Sequence, residues 1–383
     1  MLRQAGASKL RERIIALVIA GAIGVFCHRI LTERSDVVLV CLLLFGACVL
    51  WLCGSEKFAP GIRRGYERNS VFVHLWSSIM VVAVALSLRA DPFALHLLST
   101  ALIFAAVSAA LNLQFGFCGV LNFSAAGFFG LGAYTAALLS PLGLDGTIVL
   151  LAAGVVAGMT GFLLALPIVR TRGHYAAVIT IAFGIMFRNL LEVTDAVGGP
   201  QGLKVDGLSF FGYRLNENLG IYSCSFFFNY VLVSLALLAA FVFVMRRIDG
   251  SFVGIGFDSI RLDETTAACF GLDIWRWKLS AFTMGNAMLA IVGALYGSML
   301  GYVAPSNFSF SDSLIFVSII ILGGIGSVWG GVIAAVIVVL LSEKLQPIQE
   351  YRFLIFSTLV VLVLLFRPQG LMRRPLREFS QET

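Results

Sequence analysis

Uninterrupted apolar runs close to 20 residues long, such as Phe93–Phe115 and Leu279–Leu300, constrain this chain more than any other feature. A helix needs about 20 apolar residues to cross the roughly 30 Å of hydrocarbon in a bilayer. Inside that hydrocarbon the backbone must satisfy its own hydrogen bonds, which a helix does within one segment. Runs of this length exclude a transmembrane barrel, whose strands read as about ten residues of alternating hydrophobicity. Composition excludes the soluble classes. Hydrophobic residues make up 59% of the chain and charged residues 13%, against about 45–50% and about 25% in soluble domains. A surface this apolar needs lipid as its solvent. The expected fold class is therefore an all-α polytopic membrane protein.

Twelve candidate spans are legible: Ile14–Ile30, Val37–Cys53, Val71–Leu88, Phe93–Phe115, Val120–Ser140, Thr147–Val169, Tyr175–Leu191, Phe226–Met245, Leu279–Leu300, Ser313–Leu322, Val328–Leu341 and Phe353–Phe366. The tenth and eleventh are short and read as two half-helices or one broken span. Val120–Ser140 is rich in Gly and Ser, which suits a re-entrant segment. Arg3, Lys9, Arg11 and Arg13 precede the apolar run Ile14–Phe26, and Cys27-His28-Arg29 follow that run with no clear small-residue cleavage site. That pattern reads as a first span and not as a cleaved signal.

Lys and Arg gather in cytoplasmic loops. Here they cluster in the N-terminal tail, in 54–70, at Arg170 and Arg172, in 246–278 (Arg246, Arg247, Arg261, Arg276, Lys278) and in the C-terminal tail. The segments 141–146 and 301–312 carry none. This places both termini inside, 193–225 outside, and favours ten or twelve crossings. The net charge of +6 is accounted for by these loops, so nucleic acid is not an expected partner.

Much of the usual chemistry is absent from the sequence. There is no P-loop signature, so ATP hydrolysis is not expected of this chain. Gly254-Ile255-Gly256 and Gly324-Ile325-Gly326 lack the strand–turn–helix context of a dinucleotide site. The seven cysteines form no paired motif, and the four histidines show no ligand spacing. Neither a metal nor a cofactor is expected, and no nucleophilic triad is visible. From Phe93 to Leu341 no span interior holds Asp or Glu, which proton-coupled transporters generally use as relays. A sodium-coupled transporter and an intramembrane enzyme are the rival classes. The first is weakened by the missing carboxylates, although sodium sites can use carbonyls and hydroxyls. The second would need a buried nucleophile or metal set that the sequence does not show.

Polar uncharged residues concentrate in the stretch Leu111–Gly127, with Asn112, Gln114, Asn122 and Ser124. Amides in lipid are costly unless paired or facing a cavity. The stretch reads equally as part of a translocation pathway or as helix–helix hydrogen bonding. Gly293, Gly297 and Gly301, like Gly326 and Gly330, recur every four residues and read as packing seams. In 246–278, Asp258 is expected to cap a helix ended by Gly271, with Asp273 starting a short second helix carrying Trp275 and Trp277. Ile260, Ala267, Ala268, Gly271 and Ile274 would then form a flat apolar ridge. Such a ridge suits a groove on a partner or a lipid surface.

Glu264-Thr265-Thr266-Ala267-Ala268-Cys269-Phe270-Gly271 resembles the E-x-x-A-x-x-x-G coupling loop of ABC importer permeases. Five more stretches resemble the branched-chain amino acid ABC permeases of the LivM type: Gly130–Leu138, Arg170–Ala176, Gly198–Gly202, Leu322–Gly330 and Leu365–Leu371. The resemblance covers about residues 100–371, roughly 70% of the chain. It implies a permease domain over 93–371 with its coupling loop at 246–278, N-terminal spans over 1–92 and a basic tail over 372–383. It further implies coupling through Asp263, Glu264, Ala267, Ala268 and Gly271, and a pathway involving Asn112, Gln114, Asn122, Ser124 and Tyr134. The partners it implies are ABC ATPase subunits in trans, a homologous second permease, a periplasmic or extracellular solute-binding protein and lipid, in a bacterial inner membrane. Many members carry Gly-His-Ala where this chain reads Ser124-Ala125-Ala126. Urea, short amides or other small carboxylates are therefore the alternative solutes to branched-chain amino acids.

Overall fold

The computed structural model describes residues 70–89, 91–171, 175–210, 212–217 and 225–344, and scattered positions between 354 and 372. The expected spans Ile14–Ile30 and Val37–Cys53, most of Phe353–Phe366, and the N- and C-terminal tails lie outside them.

The described chain is helical almost throughout. Its helices are α1 (Ser70–Ser87), α2 (Pro92–Asn112), α3 (Ala125–Leu139), α4 (Gly146–Arg170), α5 (Tyr175–Val193), α6 (Phe227–Asp249), α7 (Phe252–Leu262), α8 (Glu264–Cys269), α9 (Ile274–Leu300), α10 (Phe310–Gly323) and α11 (Val328–Lys344). A π-helical segment, Leu113–Cys118, extends α2. Among the described residues seven helical segments are long and apolar enough to cross a membrane, with two shorter apolar helices beside them. The chain is an all-α, multi-pass membrane protein.

The span boundaries follow local chemistry. Ser309 and Asp312 form a reciprocal capping box that starts α10, which saturates two N–H groups at the helix start. At its other end Leu371 N–H donates to the Leu322 carbonyl at 2.9 Å and Met372 N–H to the Gly323 carbonyl at 3.0 Å. A returning backbone thus supplies donors that the helix end lacks. The fifth expected span begins later than its apolar run, because residues 119–124 are not helical and α3 starts at Ala125.

Contacts divide the chain into two units: Met1–Ser99 with Asn218–Leu235, and Thr100–Glu217 with Ala236–Thr383. In the first, Val84, Ala85, Leu95 and Tyr230 are buried, and the His96 and Phe227 rings meet edge-on at 5.0 Å. In the second, α9 packs along both α3 and α4, and α10 pairs with α11. At one end of α9, β1 (Leu203–Lys204) pairs antiparallel with β4 (Tyr302–Val303). A small hairpin, β2 (Ser209–Phe210) with β3 (Tyr213–Arg214), lies in the same 193–217 segment.

Small residues set the closeness of α3 and α9. A side chain at Gly293 would overlap the Phe129 carbonyl, and one at Gly132 would overlap the Ala290 carbonyl. Gly293 and Gly297 therefore form the packing seam expected of their spacing. Gly301 does not belong to it: its φ of +72° ends α9, and nothing lies within 4 Å of a side chain there. Gly326 also lies off any helix face, in the turn before α11. Gly330 does pack, against the Gly323 carbonyl.

Overpacking a tight interior costs about 1–3 kcal/mol. Gly293→Ala is accordingly expected to lower the melting temperature in detergent. Gly158→Ala in α4 meets its nearest neighbour at an ordinary 3.8 Å and replaces a poor helix former. It is expected to leave the melting temperature unchanged or raised. Paired melting curves of the purified variants check both.

Candidate functional site

Two neighbouring arrangements in the larger unit carry the polar chemistry: the capped segment between α6 and α9, and a buried amide cluster where α2 breaks.

The segment after α6 is built by successive caps. α7 begins at Phe252 behind Ser251, so Asp258 lies inside that helix and does not cap it as expected. Asp263 is extended, with φ −158°, and breaks the chain between α7 and α8. Its carboxylate accepts the Thr265 N–H at 2.9 Å and the Thr266 hydroxyl at 2.6 Å. The Thr266 hydroxyl first, and then the Thr265 amide, hold the Asp263 carboxyl below the usual carboxylate range. At the far end Leu272 N–H reaches the Ala267 carbonyl and Gly271 N–H the Ala268 carbonyl, at 3.2 and 2.9 Å. This is a Schellman closure, and Gly271 takes the φ of +83° that it requires.

Asp273 then caps α9 by accepting the Arg276 N–H at 3.3 Å. No separate short helix follows. α9 runs unbroken for 27 residues, because nothing between Ile274 and Leu300 interrupts it. Trp277 packs on Gly256 and meets the Phe257 ring edge-on at 5.2 Å, so it ties α9 to α7. Trp275 remains 38% exposed.

The break at Asp263 also changes which residues form the outward face. Ile260 and Ala267 are 1% and 2% exposed, so they point inward and the expected ridge does not form. That ridge assumed one continuous helical phase, which Asp263 resets. The outward apolar residues are Leu262, 72% exposed, and Phe270, 83% exposed, with Ala268 beside them. Glu264 pairs with Lys278 of α9. Arg261, at the end of α7, donates to the Gly116 carbonyl in the π segment at 2.6 Å.

The π segment leads into the amide cluster. Asn122 Nδ2 donates to Gln114 Oε1 and to Asn286 Oδ1, each at 2.8 Å. Gln114 Nε2 donates to Asn286 Oδ1 at 3.1 Å and to the Phe282 carbonyl at 3.2 Å. Asn122 Oδ1 accepts both the amide and the hydroxyl of Ser124, at 3.0 and 2.8 Å. Phe123 N–H donates to Thr180 of α5, and Ala126 N–H to Ser313 of α10. Asn112 lies on the other flank. It accepts the Gly326 N–H at 2.8 Å and donates to the Ser327 carbonyl at 3.1 Å.

These amides and Ser124 are fully enclosed, at 0% exposure. The structure therefore brings Gln114, Asn122 and Ser124 into one network and keeps Asn112 in a separate bridge. Tyr134 lies apart on α3, buried, with its ring 6.1 Å from Phe308. Among the described residues its hydroxyl has no hydrogen-bond partner. Sequence reasoning missed Asn286, Thr180 and Ser313. Asn286 was detectable as an isolated amide in the run Leu279–Leu300. Thr180 and Ser313 carried no such signal, because hydroxyls are ordinary in spans. Among the described residues no three His, Cys, Asp or Glu side chains come together as metal ligands.

Comparison with known proteins agrees with this architecture. Residues 93–366 match the family model of the permease component of branched-chain amino acid transport systems. The high-affinity branched-chain amino acid transport permease LivM of Salmonella typhimurium is 31% identical, over 87% of this chain and 82% of its own. LivM of Escherichia coli is 32% identical over 84% and 80%. The LivH permease of Salmonella typhimurium is 26% identical over 71% and 92%. On the extent of the family match the chain belongs to the branched-chain amino acid transport permease family.

Proposed function

We propose that this chain is the permease subunit of an ABC importer for branched-chain amino acids. ATPase subunits act in trans, a homologous second permease completes the membrane part, and an external binding protein delivers solute. The observation that carries this reading is the doubly capped α8 segment, with Phe270 and Leu262 exposed, in a chain of this family. An apolar helix tip held by its own caps is pre-organised for a groove, which lowers the ordering cost of docking. Arg246, Arg247, Arg261, Arg276 and Lys278 put this segment on the cytoplasmic face of the bacterial inner membrane. Both termini lie on that face, and the 193–217 segment lies outside. α9 spans about 40 Å at 1.5 Å per residue, enough to join the two faces.

In this mechanism Asp263 and Gly271 shape the coupling helix, and Ala267 seats it. Ala268 lies on its docking side. Glu264 grips α9 through Lys278. Closure of the ATPases moves α8, and α9 carries the movement across the membrane. Asn112, Gln114, Asn122 and Ser124 act on the pathway by holding α2 broken at 119–124. Tyr134 offers a buried hydroxyl without a partner among the described residues.

The test is purification from membranes in mild detergent, mass spectrometry of what copurifies, and reconstitution in liposomes. Two ATPases, a related permease and ATP-driven uptake of leucine, isoleucine and valine are expected. ATP-driven uptake of urea or short amides instead would reassign the solute. Uptake by this chain alone on an ion gradient would overturn the importer reading.

Three further outcomes are expected. Gly271→Val forces a β-branched side chain into a left-handed turn. It should reduce transport by at least about tenfold, the factor that corresponds to about 1.4 kcal/mol, in a complex that still assembles. Tyr134→Phe removes a hydroxyl that has no partner among the described residues, so stability should hold. If that hydroxyl meets solute, the KM for uptake rises about 2- to 13-fold, the worth of a hydrogen bond of about 0.5–1.5 kcal/mol. The depressed Asp263 pKa means the cap contributes fully above the ordinary carboxylate range. It is lost only as pH falls through the folded value, below that range. An NMR titration of the Asp263 carboxyl, with Asp263→Asn as the comparison, checks this.

A further inference from the structure

We propose that Arg261 is a positioning residue that carries movement of the coupling segment into the broken end of α2. The proposal rests on the importer reading above. It starts from an unfilled acceptor. Where the π segment ends, the Gly119 and Val120 N–H groups both turn back to the Gln114 carbonyl. The chain then leaves the helix, so no residue five positions on returns to Gly116. Carbonyls in a last helical turn need outside donors, and a cation there also complements the helix dipole. The Arg261 guanidinium fills this role at 2.6 Å. Its stem lies along Gly119, with Cγ 3.7 Å from where a side chain there would begin.

What Arg261 holds is itself held. Gly116 is wedged against the Asn112 side-chain oxygen and the Gly326 backbone, with no room for a methyl group. Asn112 bonds the Gly326–Ser327 turn that joins α10 to α11. Gln114, two residues earlier, bonds Asn286 and the Phe282 carbonyl of α9. The coupling segment therefore grips both sides of the amide cluster. Arg261 holds the π segment that carries Gln114, and Glu264 holds α9, which carries Asn286, through Lys278. Any displacement of α7 and α8 that moves these two grips unequally shears the Gln114–Asn286 contact. π segments recur at functional positions.

The experiment uses the complete reconstituted complex and reads solute moved per ATP hydrolysed, alongside thermal melting. Arg261→Met keeps the apolar stem and deletes the donor. Arg261→Lys restores one donor. Arg276→Gln removes an exposed cation of the same segment whose partner is Asp273. The expected result is a fall in solute per ATP of at least about fivefold in Arg261→Met, the lower end of coupling between distant sites. ATP hydrolysis should persist, Arg261→Lys should recover most of the ratio, and Arg276→Gln should match wild type. An Arg261→Met complex that assembles with the wild-type ratio, or that fails to assemble, would mark a structural cap and overturn the proposal. A wild-type complex without ATPases or ATP-driven uptake would defeat the importer reading itself, whatever Arg261 does.

Discussion

Backbone groups released inside a membrane protein have no water to bond, so every break in a helix must be satisfied by protein. The break at 119–124 is where this requirement bears hardest on the chain. The amide of Phe123 goes to Thr180, that of Ser124 to Asn122, and that of Ala126 to Ser313. Those acceptors come from α5, from the break itself and from α10. A loop in water could leave such groups to solvent. Here they draw two separate helices, α5 and α10, to one point, and α9 joins them through the bonds of Gln114 and Asn122 to Asn286.

The same point explains the glycines of α9. Gly285 leaves space for Gln114, and Gly293 lets the Phe129 backbone approach. Gly297 does the same for Ala133. A wider crossing of α3 and α9 would separate Asn122, just before α3, from Asn286 and strand buried amides, at about 1–3 kcal/mol for each unsatisfied group. Close packing and polar satisfaction are thus one requirement in this region. Association of spans in lipid rests on such packing, because lipid supplies no hydrophobic drive between them.

The sequence was legible where a single period governs. Phe93–Phe115, Tyr175–Leu191, Phe226–Met245 and Val328–Leu341 each lie within a few residues of α2, α5, α6 and α11. It was less legible where a side chain overrides the period. Asp263 bonds two groups just beyond itself and resets the helical phase, so residues counted onto one face, Ile260 and Ala267, turned inward. Asp258 and Asp273 are both plausible caps by type, and only Asp273 follows a chain already leaving a helix at Gly271. The polar stretch around 112–124 was visible as unusual. Its partners were not, since Asn286 and Asn112's bridge to Ser327 are more than 160 residues distant along the chain.

In the proposed mechanism the chain must be stiff at the coupling segment, where force enters, and yielding where solute passes. The segment from Phe252 to Asp273 meets the first condition through local bonds alone: the Asp263 cap, the Schellman turn at Gly271 and the Trp277 contact on α7. None depends on a partner to form. Its exposed apolar tip at Phe270 has no such internal use, since a ring that is four-fifths exposed contributes little to folding. The amide cluster is different in kind. Its hydrogen bonds are uncharged, worth about 0.5–1.5 kcal/mol each, and amides can exchange partners without a proton or an ion. A network of neutral amides can therefore shift between arrangements at low cost. In the proposed importer the direction of movement comes from the ATPases that engage the exposed tip.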